Sequence, residues 1–296
     1  MTQSNLATVS PFQSDHAVID GRTLLFDQIL NAAFFTPRKI AELNETFNNN
    51  KPFPHLVIEN LFSPVLLEMI YNDFDNLKRN ELRAYNNSNE KKYASMPYAM
   101  LGNASELYFN TIHSTKFITF LEEVTGIEGL ITDPSRSGGG LHQIPTGGKF
   151  AVHVDFNKHS LTKLDNRLVF ITYLNKDWLP AYGGALELWN ADEEKCEVEV
   201  DPVFGRSILF AHTPKSLHGH PTPVNAPNGR PRRSVATYYY SNGRSDSEST
   251  DIHTTIFFKR RKAERNEKIA ASIKYFTPPI VVDGIQKLKA LWRKKR

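Results

Sequence analysis

The β-rich texture that begins after Asp133-Pro134 is the strongest limit on what this 296-residue chain can fold into. Gly138-Gly139-Gly140 and Gly147-Gly148 punctuate short runs rich in β-branched and aromatic residues. These runs are Phe150–Val154, Leu168–Leu174, Ala185–Trp189, Glu197–Val200, Ser207–Phe210 and Ser234–Tyr240. Closely spaced short strands separated by Gly, Pro and Asn are the pattern of an all-β sandwich or barrel.

The residues upstream have a different period. Leu24, Leu25, Ile29 and Leu30 predict a first helix, and Ile40, Leu43 and Phe47 a second. Pro52-Phe53-Pro54-His55 leads into a short strand, Leu56-Val57-Ile58. Ser63-Pro64 reads as an N-cap with proline at the first helical position. Behind it, Leu66, Leu67, Ile70, Tyr71 and Phe74 form one apolar helical face. Residues 79–103 are polar and Asn-rich and read as a loop over one end of the fold. A single helix is expected over Ala104–Val124, stopped by Gly126. The chain therefore reads as α+β in four parts: a loose leader (1–20), a helical support region (21–134), a β-core (135–245) and a basic helical C-terminal tail (246–296).

No window approaches the roughly 20 apolar residues that a spanning helix needs, so no transmembrane segment is expected. The polar start, with Asp15 and no apolar stretch, does not read as a signal peptide, so the expected compartment is the cytoplasm. The single cysteine, Cys196, excludes an internal disulfide and suits a reducing compartment. Its polar surroundings, Asp192-Glu193-Glu194-Lys195, favour a strand or turn residue over a nucleophile.

A net charge of +4 conceals an asymmetry. From Lys259 onward there are 13 Lys and Arg against 3 acids, so the tail carries +10 and the remainder −6. Lys259-Arg260-Arg261-Lys262, Ile269, Ile273 and the closing Arg293-Lys294-Lys295-Arg296 have the pattern of basic amphipathic helices broken at Pro278-Pro279. Such helices bind an anionic membrane surface, RNA or an acidic partner. The first of these would put the protein peripherally at the inner face of the membrane. The plainer alternative is a helix lying on the core with its basic face in water.

Three features in the β-rich half carry chemistry in combination. In His153-Val154-Asp155, side chains at i and i+2 of a strand project from one face, so an imidazole and a carboxylate converge. Such a pair is common by chance and means little alone. Leu217-His218-Gly219-His220-Pro221 returns one or two imidazoles after the intervening strands. Two histidines and one carboxylate fill one face of an Fe(II) octahedron and leave three positions open. Zinc prefers a tetrahedral set, and cysteine is absent from the group. Arg230, Arg232 and Arg233 then precede the strand Ser234–Tyr240 and offer a cationic fork for a carboxylate. Each Arg alone would read as part of a solvated turn; the order of the three features is what is specific.

In these residues the chain resembles the prolyl 4-hydroxylase-like branch of the 2-oxoglutarate/Fe(II)-dependent dioxygenases. The resemblance runs from about Gly138 to Ser241. It includes Tyr173-Leu174-Asn175-Lys176-Asp177-Trp178, Gly183-Gly184-Ala185-Leu186-Glu187-Leu188 and Arg232-Arg233-Ser234-Val235-Ala236-Thr237-Tyr238-Tyr239. It implies a double-stranded β-helix, a jelly-roll, cupin-like core with supporting helices. It implies Fe(II) held by His153, Asp155 and His218, with 2-oxoglutarate anchored by Arg232 and Tyr173, O2 as oxidant and ascorbate as a supportive reductant. The family pattern His-x-Val-x-x-Pro favours His218 over His220 as third ligand, with His220 in the valine place. The small and β-branched residues after the anchor favour Arg232 over Arg233. A family tyrosine ten residues before the first metal histidine is replaced by Gln143. With Asn157, His220 and His159, Gln143 is a candidate to face the substrate.

The implied reaction is hydroxylation of an unactivated C–H bond, with a prolyl residue of a protein or peptide as the first candidate substrate. A small molecule or a cell-envelope sugar is the alternative. A jelly-roll binding module without catalysis is the non-enzymatic alternative. The complete ligand set with Arg232 argues against it.

Overall fold

A computed structural model describes residues 15–244 and 251–258. The basic tail from Lys259 lies outside the described residues. In chain order the elements are β1 (His16–Ile19), β2 (Arg22–Leu25), α1 (Pro37–Asn49), β3 (His55–Glu59), α2 (Pro64–Asn76), β4 (Leu82–Asn86) and β5 (Lys91–Ser95). Next come α3 (Asn103–Ile112), α4 (Thr115–Thr125), β6 (Ile131–Thr132), β7 (Gly140–Ile144), β8 (Phe150–Val154) and β9 (Asp165–Tyr173). The series ends with β10 (Leu186–Asn190), β11 (Lys195–Val200), β12 (Arg206–Ala211), β13 (Leu217–His220), β14 (Arg232–Ser241) and β15 (Ile256–Phe257).

Two antiparallel sheets face each other as the jelly-roll. The larger has the order β3-β12-β9-β14-β7-β5-β4, with β6 paired to β14; the smaller runs β11-β10-β13-β8-β15. Strand alternation divides the larger sheet into two faces. Leu168, Phe170 and Leu174, with Leu209, Val235 and Tyr239, join the helices in the main apolar core. Val169, Tyr173, Ile208 and Phe210 point the other way and meet Leu186 and Leu188 of the smaller sheet. Both faces of the central strands are therefore covered, which explains why β9 and β12 read as near-continuous apolar runs.

The supporting layer is helical, as expected, but differs in detail. Leu24, Leu25, Ile29 and Leu30 do not make a helix: residues 16–25 form the β1–β2 hairpin, followed by 3-10 turns at Phe26–Gln28 and Ala32–Phe35. Asp20 and Gly21 both have positive φ at the hairpin turn, a conformation that ends any helical period there. The helix expected over Ala104–Val124 is two helices. The break falls at His113-Ser114, where Ser114 caps α4 by accepting from the Phe117 amide. Gly126, left-handed at φ 72°, ends α4 as expected.

The largest correction concerns residues 79–103, expected as a loop. They contain the β4–β5 hairpin, and β5 extends the larger sheet by pairing with β7. The hairpin turn is set by Asn87, whose Oδ1 accepts from the amides of Asn89 and Glu90. Ile256–Phe257, beyond the expected end of the β-core at 245, pairs with β8.

Candidate metal and co-substrate site

β8 and β13 are neighbours in the smaller sheet, and His153 pairs directly with His218 across them. Potential ligand atoms of His153, Asp155 and His218 all lie within 4.8 Å of one another. Asp155 Oδ1 is 3.3 Å from His153 Nε2, and Oδ2 is 3.4 Å from His218 Nε2. All three side chains are buried. His220 lines the same cavity but stands outside this cluster.

The histidines are oriented identically. His153 Nδ1 donates to the Ala151 carbonyl at 2.8 Å, and His218 Nδ1 to the Ser216 carbonyl at 2.9 Å. A proton on Nδ1 leaves the Nε2 lone pair of each ring for a metal, the usual way a backbone carbonyl fixes a ligating tautomer. His153 Nε2 is buried with no hydrogen-bond partner, which is the condition of a donor atom shaped for an ion.

Electrostatics favour the same states. Burial pushes the His153 imidazole below its ordinary pKa, with the neighbouring His218 adding to the effect, so the His153 ring is neutral. Burial alone would raise the Asp155 carboxyl, but His218 and His153 outweigh it and hold the group well below the usual carboxylate range. The Tyr238 hydroxyl donates to Asp155 Oδ2 at 3.4 Å, and His212 Nε2 donates to the Asp155 carbonyl at 3.0 Å. An anionic carboxylate between two imidazoles whose Nε2 atoms face it, held by neighbours on both sides, is a donor set suited to Fe(II).

The cavity beside these ligands has a volume of about 220 Å³. Alternation in β14 turns Arg232, Ser234, Ala236 and Tyr238 into it. Arg232 is buried, donates from Nε to the Gly184 carbonyl at 2.7 Å, and stacks 4.9 Å from the Tyr173 ring centroid. Among the described residues it has no carboxylate partner. The Tyr173 hydroxyl beside it is buried and lacks a hydrogen-bond partner. A desolvated guanidinium without an anion is unfavourable, so this corner fits a carboxylate brought by a ligand. Gly184, at φ 74°, makes room: a Cβ there would lie 2.9 Å from Arg232 Cδ.

Arg233 points out of the cavity. It donates to the Tyr71 carbonyl (2.9 Å), to Gln143 Oε1 (3.1 Å) and to Asp75 Oδ1 (2.6 Å), fastening β14 to α2. Gln143 is thereby placed on the outer face, and its cavity-facing neighbours in β7 are His142 and Ile144. Asn157 does not line the cavity. Its Nδ2 donates to the Asp251 carbonyl and its Oδ1 accepts from the His253 amide, so it fastens the 251–258 segment. His159 has a similar structural part, accepting from Thr162 at Nδ1 with Nε2 3.3 Å from Asp133.

Sequence reasoning missed the contribution of the β4–β5 hairpin and of β7. Tyr85, Glu90, Lys92 and His142 all line the cavity. Burial pushes the His142 imidazole down to about 4, so it is neutral. The missed signal was the Asn87–Asn89 turn flanked by Arg83-Ala84-Tyr85 and Lys92-Tyr93-Ala94, two short runs able to pair. Cys196 is remote from this chemistry, and burial pushes its thiol up to about 11.

A family model described as the 2OG-Fe(II) oxygenase superfamily matches residues 139–240. No curated protein matches the chain. Among solved structures, a prolyl-4-hydroxylase from Pseudomonas putida is similar over 68% of this chain and 100% of its own, at 17% identity and a TM-score of 0.51. A prolyl hydroxylase from Trichoplax adhaerens, in complex with a hypoxia inducible factor peptide fragment, is similar over 69% of this chain and 91% of its own (17% identity, TM-score 0.49). HygX from Streptomyces hygroscopicus, solved with nickel and 2-oxoglutarate, covers 76% of this chain and 96% of its own (12% identity, TM-score 0.47). The β-core of this chain, residues 139–240, which carries the His-Asp-His cluster and Arg232, is thus similar to the 2OG-Fe(II) oxygenase superfamily.

Proposed function

We propose that the chain hydroxylates an unactivated C–H bond, with His153, Asp155 and His218 as iron ligands and Arg232 with Tyr173 as the anchor for 2-oxoglutarate. The observation that carries this is the pairing of two unsatisfied groups in one cavity: a His-Asp-His cluster and a buried arginine without a carboxylate partner among the described residues. When bound, iron, 2-oxoglutarate and O2 supply the oxidising chemistry, in which the co-substrate leaves as succinate and CO2 and the substrate gains a hydroxyl group.

The chain's own residues position and shield. Ala151 and Ser216 carbonyls hold the two rings, and Tyr238 holds the carboxylate. The Phe150 ring packs 3.9 Å from the His153 ring centroid and 6.0 Å from Phe257, and this apolar wall keeps water from the ligands. His220, buried and held well below its ordinary pKa chiefly by burial, presents a neutral ring beside the site.

A prolyl residue of a peptide is the substrate suggested by the Tyr173–Trp178 and Gly183-Gly184 motifs. The test is succinate release by the full chain with Fe(II), 2-oxoglutarate and ascorbate, first without substrate and then with prolyl peptides. Slow basal release that depends on iron is expected, with stimulation by a true substrate. Release that is indifferent to iron contradicts the proposal.

A further inference from the structure

A second cavity, of about 400 Å³, adjoins the one at the metal cluster. The two share Tyr85, Lys92, Gly138, His142, Phe156 and Thr255 as common walls, so the outer one forms a vestibule to the inner. Among the described residues, Arg83, Lys92, Lys158 and Lys163 line the vestibule and no Asp or Glu does.

These cations differ in how far they are already neutralised. Lys158 is committed to Asp165 at 2.6 Å. Lys92 lies 3.3 Å from Glu90, a residue of the inner cavity. Among the described residues the Lys163 ammonium donates to the Ser160 carbonyl alone, and Arg83 has no ion pair or side-chain hydrogen bond. Lys92 is also buried, with its ammonium 3.6 Å from the Phe150 ring centroid. Burying an ammonium is unfavourable, so its place between the two cavities is not that of an incidental surface lysine. A hollow lined by one sign of charge focuses the field and concentrates counter-ions within it.

Arg232 lines the inner cavity and is absent from the vestibule. An anion bound in the vestibule would therefore be separate from the carboxylate assigned to Arg232. We propose that the hydroxylated substrate is itself anionic. Its phosphate or carboxylate sits in the vestibule against Arg83, Lys163 and Lys92, while the C–H bond to be hydroxylated enters the inner cavity. This rests on the iron and 2-oxoglutarate reading above and adds the class of substrate to it.

The test uses the full chain under anaerobic conditions with saturating Fe(II) and 2-oxoglutarate, so that the Arg232 corner is filled. The visible charge-transfer band of the wild type is recorded first. Inorganic phosphate is then titrated calorimetrically in one arm and acetate in the other, at constant ionic strength. Arg83→Gln with Lys163→Gln is the comparison variant; both positions are exposed, so the fold survives their replacement. At least one anion is expected to bind the wild type and to bind the double variant about tenfold or more weakly, with the arm that binds naming the anion. Binding of neither anion, or equal binding by both proteins, overturns the proposal. Succinate release with matched pairs of phosphorylated or carboxylated compounds and their neutral counterparts is the second readout. Preference for the anionic member supports the proposal and preference for the neutral member overturns it. A missing band in the first step counts against the iron reading alone, because anion binding is measured independently of it.

Discussion

Arg232 and Arg233 are adjacent in one strand and serve opposite sides of it: Arg232 Nε donates to Gly184 inside the cavity, and Arg233 Nη2 pairs with Asp75 on the helical side. The same pleat that separates Leu168 from Val169 separates these two side chains. Arg232→Gln is expected to weaken 2-oxoglutarate binding by about 100-fold, the effect of losing a charge-assisted pair in a desolvated site. Arg233→Gln is expected to change that affinity by less than about twofold and to lower stability by about 1–3 kcal/mol, mainly because the Tyr71 carbonyl and Gln143 lose a donor. The exposed Asp75 partner contributes little to that loss. Calorimetric binding and urea denaturation of both variants check the assignment; equal losses of affinity contradict it.

Gly219 separates the two histidines of β13, and a Cβ there would lie 2.9 Å from the backbone of Phe150 and Ala151. That close approach is what lets His218 sit across from His153 with an irregular register before His220. Gly219→Ala is expected to push β13 away from β8 and weaken Fe(II) binding by at least about tenfold, since a displacement of a few tenths of an ångström degrades ligand geometry. An unchanged iron affinity in a folded variant contradicts this account of the site.

Three histidines, His113, His142 and His212, are each pushed from an ordinary 6.5 down to about 4, chiefly by burial. Above 6.5 they are neutral in both folded and unfolded chains and contribute no pH dependence. Between 6.5 and about 4 the unfolded chain takes up protons that the folded chain does not, so stability falls as the pH falls through this window. Urea midpoints measured from about pH 7 to 4.5 are expected to drop steeply, with His113→Gln flattening the slope by about one proton. A flat profile contradicts the assignment.

Asp73 holds the support layer together. Its buried carboxylate accepts from the amide and the hydroxyl of Ser105, at 2.8 and 2.6 Å, in the first turn of α3. Gly102 makes the space, because a Cβ there would lie 1.9 Å from Asp73 Oδ1. Asp73→Ala and Gly102→Ala are each expected to destabilise the fold by about 1–3 kcal/mol in urea unfolding. No loss in either variant contradicts this packing.

Much of this was legible in the residues because strand periodicity and ligand order are local signals. His153 and Asp155 could be named from spacing and order, whereas His218 over His220 and Arg232 over Arg233 followed the family pattern; the pleat turns the two arginines to opposite faces. Tyr85, Glu90 and Lys92 were invisible because β5 gains its place only by pairing with β7, a contact across many intervening residues. Gln143 and Asn157 were misplaced for a related reason. A one-residue step in β7 exchanges cavity for outer face, and Asn157 is claimed by the distant Asp251–His253 segment.

Anaerobic titration of the full chain with Fe(II) and 2-oxoglutarate, followed by visible absorption, tests the central claim most directly. One iron and one 2-oxoglutarate are expected to give a weak charge-transfer band in the wild type. The band should be lost in Asp155→Ala and His218→Ala and retained in His220→Ala. No band in the wild type, or a band that survives Asp155→Ala and disappears only in His220→Ala, contradicts the assignment of His153, Asp155 and His218 as the iron site.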